Sequence, residues 1–221
     1  MVTANQKIDN QSFDSAAIEV PFAVLYSVSW QTYQALLNDM GDGRATRLSY
    51  HQGILEIKMP SKLHELINRL LERIVTTLTE ELGMSVLSLG STTLERAEVE
   101  QAVEPDSCFY IQNAELINLE DHALPPNLPS DLVVEVDITS SSRSRLQIYK
   151  TMKIPEIWRY NRQGFTILQL HEGEYIECEN SLTFPTISTK LLAEAIEQGK
   201  KTKNQNEIVN QLRNRLRNSN L

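Results

Sequence analysis

The sequence predicts an α/β fold: one domain in which a long helix packs on a mixed β-sheet. Three observations point there. Leu63, Leu66, Ile67, Leu70, Leu71, Ile74, Val75, Leu78 and Leu82 recur at helical spacing without a break. Val133, Val134, Val136 and Ile138 form a short apolar run of the kind found in buried strands. Short β-type runs lie on both sides of these two elements, the pattern of helices layered on a sheet.

In chain order, residues 1–16 are polar and read as a disordered tail. Ser29 suits the N-cap of a helix through Trp30, Tyr33, Leu36 and Leu37 that stops at Gly41. Arg47–His51 and Ile54–Met59, joined at Gln52-Gly53, read as a hairpin. The long helix runs from about Lys62 to Leu82 and Gly83 ends it. Strands are expected near 84–89, 92–97 and 106–111, followed by a proline-rich loop over 124–129. The strand 131–138 leads into Thr139-Ser-Ser-Ser142, a cap for a helix near Arg143–Met152. A closing strand near 154–160, an edge hairpin at 165–170 and 175–178, and helices near 189–198 and 206–217 complete the chain.

The 221 residues fit one domain with tails, and 41% hydrophobic content supports a sizeable core. No apolar run approaches the ~20 residues of a membrane span, and the N-terminus is polar, so a cytoplasmic protein is expected. Cys108 and Cys178 are the only cysteines and form no metal-ligand or disulfide pattern. The net charge of −8 argues against a protein that coats nucleic acid non-specifically. Its distribution is uneven. Glu95–Asp121 holds eight acids against Arg96 alone, whereas Arg143–Arg162 and Lys200–Arg217 each hold six basic residues against one acid. An acidic pocket flanked by basic elements suits chemistry on a phosphate backbone; ordinary solvated faces would give the same pattern.

The acids of the apolar strand carry the chemical signal. Glu135 and Asp137 are two residues apart and project from one sheet face. Burying two adjacent carboxylates costs several kcal/mol by typical estimates. A divalent cation removes that cost, and Asp106 on a neighbouring strand would complete an oxygen-rich Mg²⁺ or Mn²⁺ site. Acids at a strand mouth that reach solvent or accept hydrogen bonds are the plainer alternative. His51, His122 and His171 form no ligand spacing, and Trp158 and Tyr149 read as core.

The order of these elements resembles the PD-(D/E)XK nuclease superfamily, and more closely its Uma-type family of bacterial restriction endonucleases. The residues that carry the resemblance are Gly53-Ile-Leu-Glu-Ile-Lys-Met-Pro60 with His64 beyond it, then Glu104, Pro105 and Asp106. They continue through the strand from Asp131 past Glu135 and end in Arg145-Leu-Gln-Ile-Tyr-Lys-Thr-Met-Lys-Ile-Pro-Glu-Ile-Trp158. The resemblance extends from about residue 28 to about residue 180. It implies a restriction-endonuclease-like core over 17–185 and a helical basic tail over 186–221. It also implies a metal on Asp106 and Glu135, with Glu56 and His64 lining the same pocket; the sheet face that Asp137 shares with Glu135 adds it to the metal set.

The chain departs from the superfamily where a lysine is expected: position 137 is Asp137, and the cation of the following helix is Arg145. Arginine stays charged and can stabilise a phosphate but cannot accept a proton, leaving Asp137 or metal-activated water as the base. The leading expectation is a Mg²⁺- or Mn²⁺-dependent endonuclease acting on DNA; the alternative is a catalytically weakened nuclease fold that binds DNA or serves assembly. Homodimerisation is left open by the sequence.

Overall fold

The computed structural model describes residues 22–41, 43–121, 124–125, 127–138 and 142–218. The tail expected over 1–16 and the capping residues Thr139, Ser140 and Ser141 lie outside the described residues.

The strands divide into two sheets. The first is antiparallel and contains Phe22–Leu25 (β1), Arg47–His51 (β2), Ile54–Lys58 (β3), Leu94–Arg96 (β5) and Gln101–Val103 (β6), in the order β1-β3-β2-β6-β5. The β2–β3 hairpin forms where expected, because Gln52 and Gly53 both adopt positive φ (48° and 82°), the turn geometry that matches strand twist. Helix α1 (Trp30–Met40) covers this sheet. The Ser29 hydroxyl accepts the Thr32 N–H at its start, and Trp30 and Tyr33 pack on Leu48, Tyr50 and Leu55.

The second sheet joins Leu87–Gly90 (β4), Ser107–Tyr110 (β7), Leu132–Asp137 (β8), Glu156–Asn161 (β9), Gly164–His171 (β10) and Glu174–Cys178 (β11), in the order β11-β10-β9-β8-β7-β4. Only the β8–β9 pair is parallel. A parallel pair needs a crossover of a dozen or more residues, and helix α3 (Arg145–Thr151) supplies it.

Helix α2 (Lys62–Leu82) matches its expected bounds. The Ser61 hydroxyl accepts the His64 N–H, and Gly83 closes the helix in the left-handed region while the Met84 N–H bonds to the Thr79 carbonyl. Its apolar stripe meets Leu132, Val134 and Val136 of β8 in the largest core cluster. Strand alternation sends the other residues of β8 to the opposite face, where Val133 packs with Ile148 and Tyr149 of α3. Glu135 and Asp137 therefore face α3.

The segment expected as a basic tail forms α4 (Thr189–Gly199) and α5 (Gln205–Asn218), which place Leu192, Ile196, Ile208, Leu212 and Leu216 in the α2 core. Arg213 and Arg217 pair with Glu80 and Glu81 of α2 at 2.6 and 2.7 Å. Strands β1 and β6 carry no periodic signal in the sequence. Four and three residues are too few to show one, and β6 lies inside the acidic stretch. Among the described residues no helix is long and apolar enough to cross a membrane.

The contact between α4 and α2 leaves no room for a side chain at Gly199. An added Cβ would lie 2.3 Å from the buried Leu70 Cδ2. Gly199→Ala should cost about 1–3 kcal/mol by overpacking, and Leu70→Ala about 2–5 kcal/mol by leaving a cavity. In the double variant the vacated space accepts the new methyl, so the combined loss should fall short of the sum. Urea denaturation of the three variants checks this, and strict additivity would refute the contact.

Candidate active site

The β7–β8 register pairs Ser107 with Val134, so Asp106, one residue before β7, arrives level with Glu135. Its carboxylate takes over from the backbone there: Oδ2 accepts the Val136 N–H at 2.7 Å. Lys58 reaches the same carboxylate from the end of β3, with Nζ donating to Oδ2 at 2.9 Å and Oδ1 at 3.1 Å. That ammonium also donates to the Val136 carbonyl at 3.1 Å and stands 3.9 Å from Glu135 Oε2. His64, in the first turn of α2, brings Nε2 within 2.8 Å of Asp106 Oδ2. The approach is off the line of an N–H bond, so the contact is close but not an aligned hydrogen bond.

Glu135 is held from the other side. Arg145, the first residue of α3, donates Nε to Oε1 at 2.9 Å and Nη2 to Oε2 at 2.7 Å. This is the two-pronged geometry that a guanidinium forms with a carboxylate. Tyr149 lies one turn on, and its hydroxyl donates a short hydrogen bond to Oε1. Arg145 Nη2 is 3.4 Å from Asp137 Oδ1, and Nη1 is 3.8 Å from Glu56 Oε2. Asp137 spends its second oxygen on the chain that follows, accepting the Ser142 N–H at 2.9 Å and its hydroxyl at 2.7 Å. Glu56 accepts the Ser49 hydroxyl at 3.3 Å.

The structure thus gathers all six residues singled out in the sequence: Asp106, Glu135, Asp137, Arg145, Glu56 and His64. It adds Lys58 and Tyr149. Lys58 was legible in one respect, since it follows Glu56 by two on β3 and must share its sheet face. Tyr149 is core as expected, but its hydroxyl belongs to the site. Glu104, two residues before Asp106, is directed elsewhere and accepts the Leu48 N–H and the Thr93 hydroxyl, with Arg44 beside it.

Burial decides the electrostatics. Asp106, Glu135, Lys58 and Arg145 are 3%, 1%, 3% and 3% exposed. Burial alone would raise the Asp106 pKa, but the charges of Lys58, His64 and Arg145 outweigh it and hold the carboxyl well below the usual range. At Glu135 burial and the neighbouring Asp106 charge push the pKa up against the pull of Arg145 and Lys58. The Arg145 guanidinium is stabilised in its charged form by Glu135. Burial and the Glu135 carboxylate drive the Tyr149 phenol well above its ordinary value, so the phenol stays a donor.

A divalent cation needs free oxygens converging at about 2.0–2.6 Å. Here every oxygen of Asp106 and Glu135 already accepts a hydrogen bond, and an ammonium stands where the oxygens converge. Among the described residues no three His, Cys, Asp or Glu side chains are grouped to hold a metal ion. With Lys58 in place the donor set does not fit Mg²⁺. A cleft of about 780 Å³, lined by Arg44, Arg47, Thr93, Glu104 and Ser130 among others, does not include Asp106 or Glu135.

Comparison with known proteins bears on the fold and the family. A family model described as "Uma2: Putative restriction endonuclease" matches residues 30–199. The chain is similar to a crystal structure titled as a putative nuclease belonging to DUF820 from Anabaena variabilis ATCC 29413, with a TM-score of 0.53 and 12% identity. That match covers 76% of this chain and 99% of the other, and at such identity it establishes a shared fold alone. No curated protein matches the chain.

Two outcomes are expected from the ion-pair network. Arg145→Ala leaves Glu135 buried without its partner and should cost about 3–5 kcal/mol of stability. Arg145→Lys should cost less, because it keeps the charge and loses only the fork. Chemical denaturation ranks the two, and equal losses would show that charge is not what matters there. The second outcome concerns pH. The Asp106 pKa is depressed in the folded state, so its stabilising contribution is complete above the unfolded value of about 3.9. It is lost as pH falls below that, because the unfolded chain takes up the proton first. Asp106→Asn should flatten the loss of stability between roughly pH 5 and pH 2. An unchanged acid limb would refute the assignment.

Proposed function

The chain belongs to the Uma2 family, described as putative restriction endonucleases, and from that premise we propose that it is a nuclease-fold protein in which metal-dependent cleavage of DNA is weakened and binding to DNA remains. Membership of the family supports the nucleic-acid part of this reading. One observation carries the weakened part: each oxygen of the Asp106 and Glu135 carboxylates is engaged by Lys58, the Val136 N–H, Arg145 or Tyr149. Phosphodiester hydrolysis at such a centre needs oxygens that can hold a cation and a cation that can activate water. Neither is free here.

Within the centre, Arg145 already commits Nε and Nη2 to Glu135, which leaves Nη1, 3.8 Å from Glu56 Oε2, as the nitrogen not engaged with that carboxylate. Tyr149 and Ser142 fix the orientation of Glu135 and Asp137.

A second reading, a Mg²⁺- or Mn²⁺-dependent endonuclease using Asp106, Glu135 and Asp137, is favoured by the charge count. Glu56, Asp106, Glu135 and Asp137 outnumber Lys58 and Arg145 in one buried cluster. Such an excess attracts cations.

Incubating the protein with supercoiled plasmid, with and without Mg²⁺ or Mn²⁺, separates the two. The proposed reading expects a salt-sensitive shift of the plasmid on a gel and no nicking beyond that of Asp106→Ala. Rapid nicking that requires the metal and disappears in Asp106→Ala would establish the second reading. Neither binding nor nicking would refute both.

A further inference from the structure

We infer that the Lys58 ammonium is a resident counter-ion standing at the cation position of this centre, and that it excludes a divalent ion from the oxygens it bridges. Its surroundings are the reason. Within hydrogen-bond distance Nζ meets both oxygens of Asp106 and the main-chain carbonyl of Val136. Glu135 Oε2 lies at 3.9 Å on the opposite strand. Two carboxylates and a backbone carbonyl are the hard oxygen donors that Mg²⁺, Mn²⁺ and Ca²⁺ prefer. Here the set is buried, and the lysine satisfies it.

The length of the contacts fits an ammonium and not a metal. Nζ–O distances of 2.9–3.1 Å are those of charge-assisted hydrogen bonds. A divalent ion would draw the same oxygens to about 2.0–2.6 Å. Both cations cannot be accommodated together, because they would share the same oxygens in a buried site where their repulsion is poorly screened. Lys58 has no other outlet: its side chain is 3% exposed and its three N–H groups are matched by these three oxygens. The lysine also comes from the first sheet, whereas the oxygens belong to the second, so closing the centre and joining the sheets are one event.

Mn²⁺ titration of the full chain by calorimetry tests this. Wild type should bind more weakly than roughly 1 mM, the weak end of built oxygen-ligand sites. Lys58→Met removes the ammonium at similar length and should bind Mn²⁺ at least about tenfold more tightly. That gain should vanish in the double variant Lys58→Met with Asp106→Asn. Mn²⁺ should also raise the melting temperature of Lys58→Met and leave that of wild type unchanged. Should Lys58→Met fail to fold even with Mn²⁺, Lys58→Gln, which keeps a donor, takes its place with the same expectations. Tight Mn²⁺ binding by wild type that is lost in Asp106→Asn would overturn the proposal without any lysine variant. Equal affinities in wild type and both lysine variants would overturn it as well. The titration contains no nucleic acid, so its failure is separable from failure of the DNA-binding reading on which the role of this centre rests.

Discussion

The pairing of buried carboxylates with buried cations is the constraint around which this molecule is arranged. An isolated carboxylate in an apolar interior is too costly to keep ionised, by several kcal/mol in typical cases. Asp106 and Glu135 lie side by side where two strands meet, which doubles the problem. Three elements supply the solution: Lys58 from β3, His64 from α2, and Arg145 and Tyr149 from α3. Because these elements belong to different layers, neutralising the acids also fixes how the layers meet. Removing one partner therefore disturbs more than one contact.

Charge elsewhere in the chain is spent in the same internal way. The basic residues of α5 read in the sequence as a flank of a phosphate-binding pocket or as an ordinary solvated face, and Arg213 and Arg217 face Glu80 and Glu81 on α2. These pairs are exposed and contribute little to stability; the apolar face of α5 on the α2 core does more. Lys150 pairs with Glu174 on β11. The acidic balance of the chain and its internal use of basic residues leave less positive surface for a phosphate backbone than the local counts imply.

Arginine and lysine hold different posts in the centre. Arg145 takes the flat, forked contact with Glu135, which suits a guanidinium and would be half lost with an ammonium. Lys58 takes the compact position among oxygens converging from several directions, which suits an ammonium and has no room for a fork. The sequence departs from its superfamily by lacking a lysine at 137 or 145. The structure brings a lysine to the centre from a strand on the other sheet. The centre thus holds two cations, Arg145 from the helix and Lys58 from the other sheet.

Local pattern determined a good part of this molecule. The stripe of α2, its Ser61 and Gly83 ends, the Gln52-Gly53 turn and the Ser29 cap each rest on neighbours within a few residues, and each formed at the expected place. Period-two alternation was enough to put Glu135 and Asp137 on one face of β8. What alternation could not say was what that face meets. Lys58 and Asp106 are 48 positions apart, and Lys58 and Val136 are 78 apart. Strands as short as β6 bring such segments together through ladder hydrogen bonds that any residue can make, so they leave no periodic trace. The sequence therefore determined the acids, their spacing and the elements that carry them. The tertiary structure decided their counter-ions, because partner choice across two sheets depends on register and packing that no local window of residues contains.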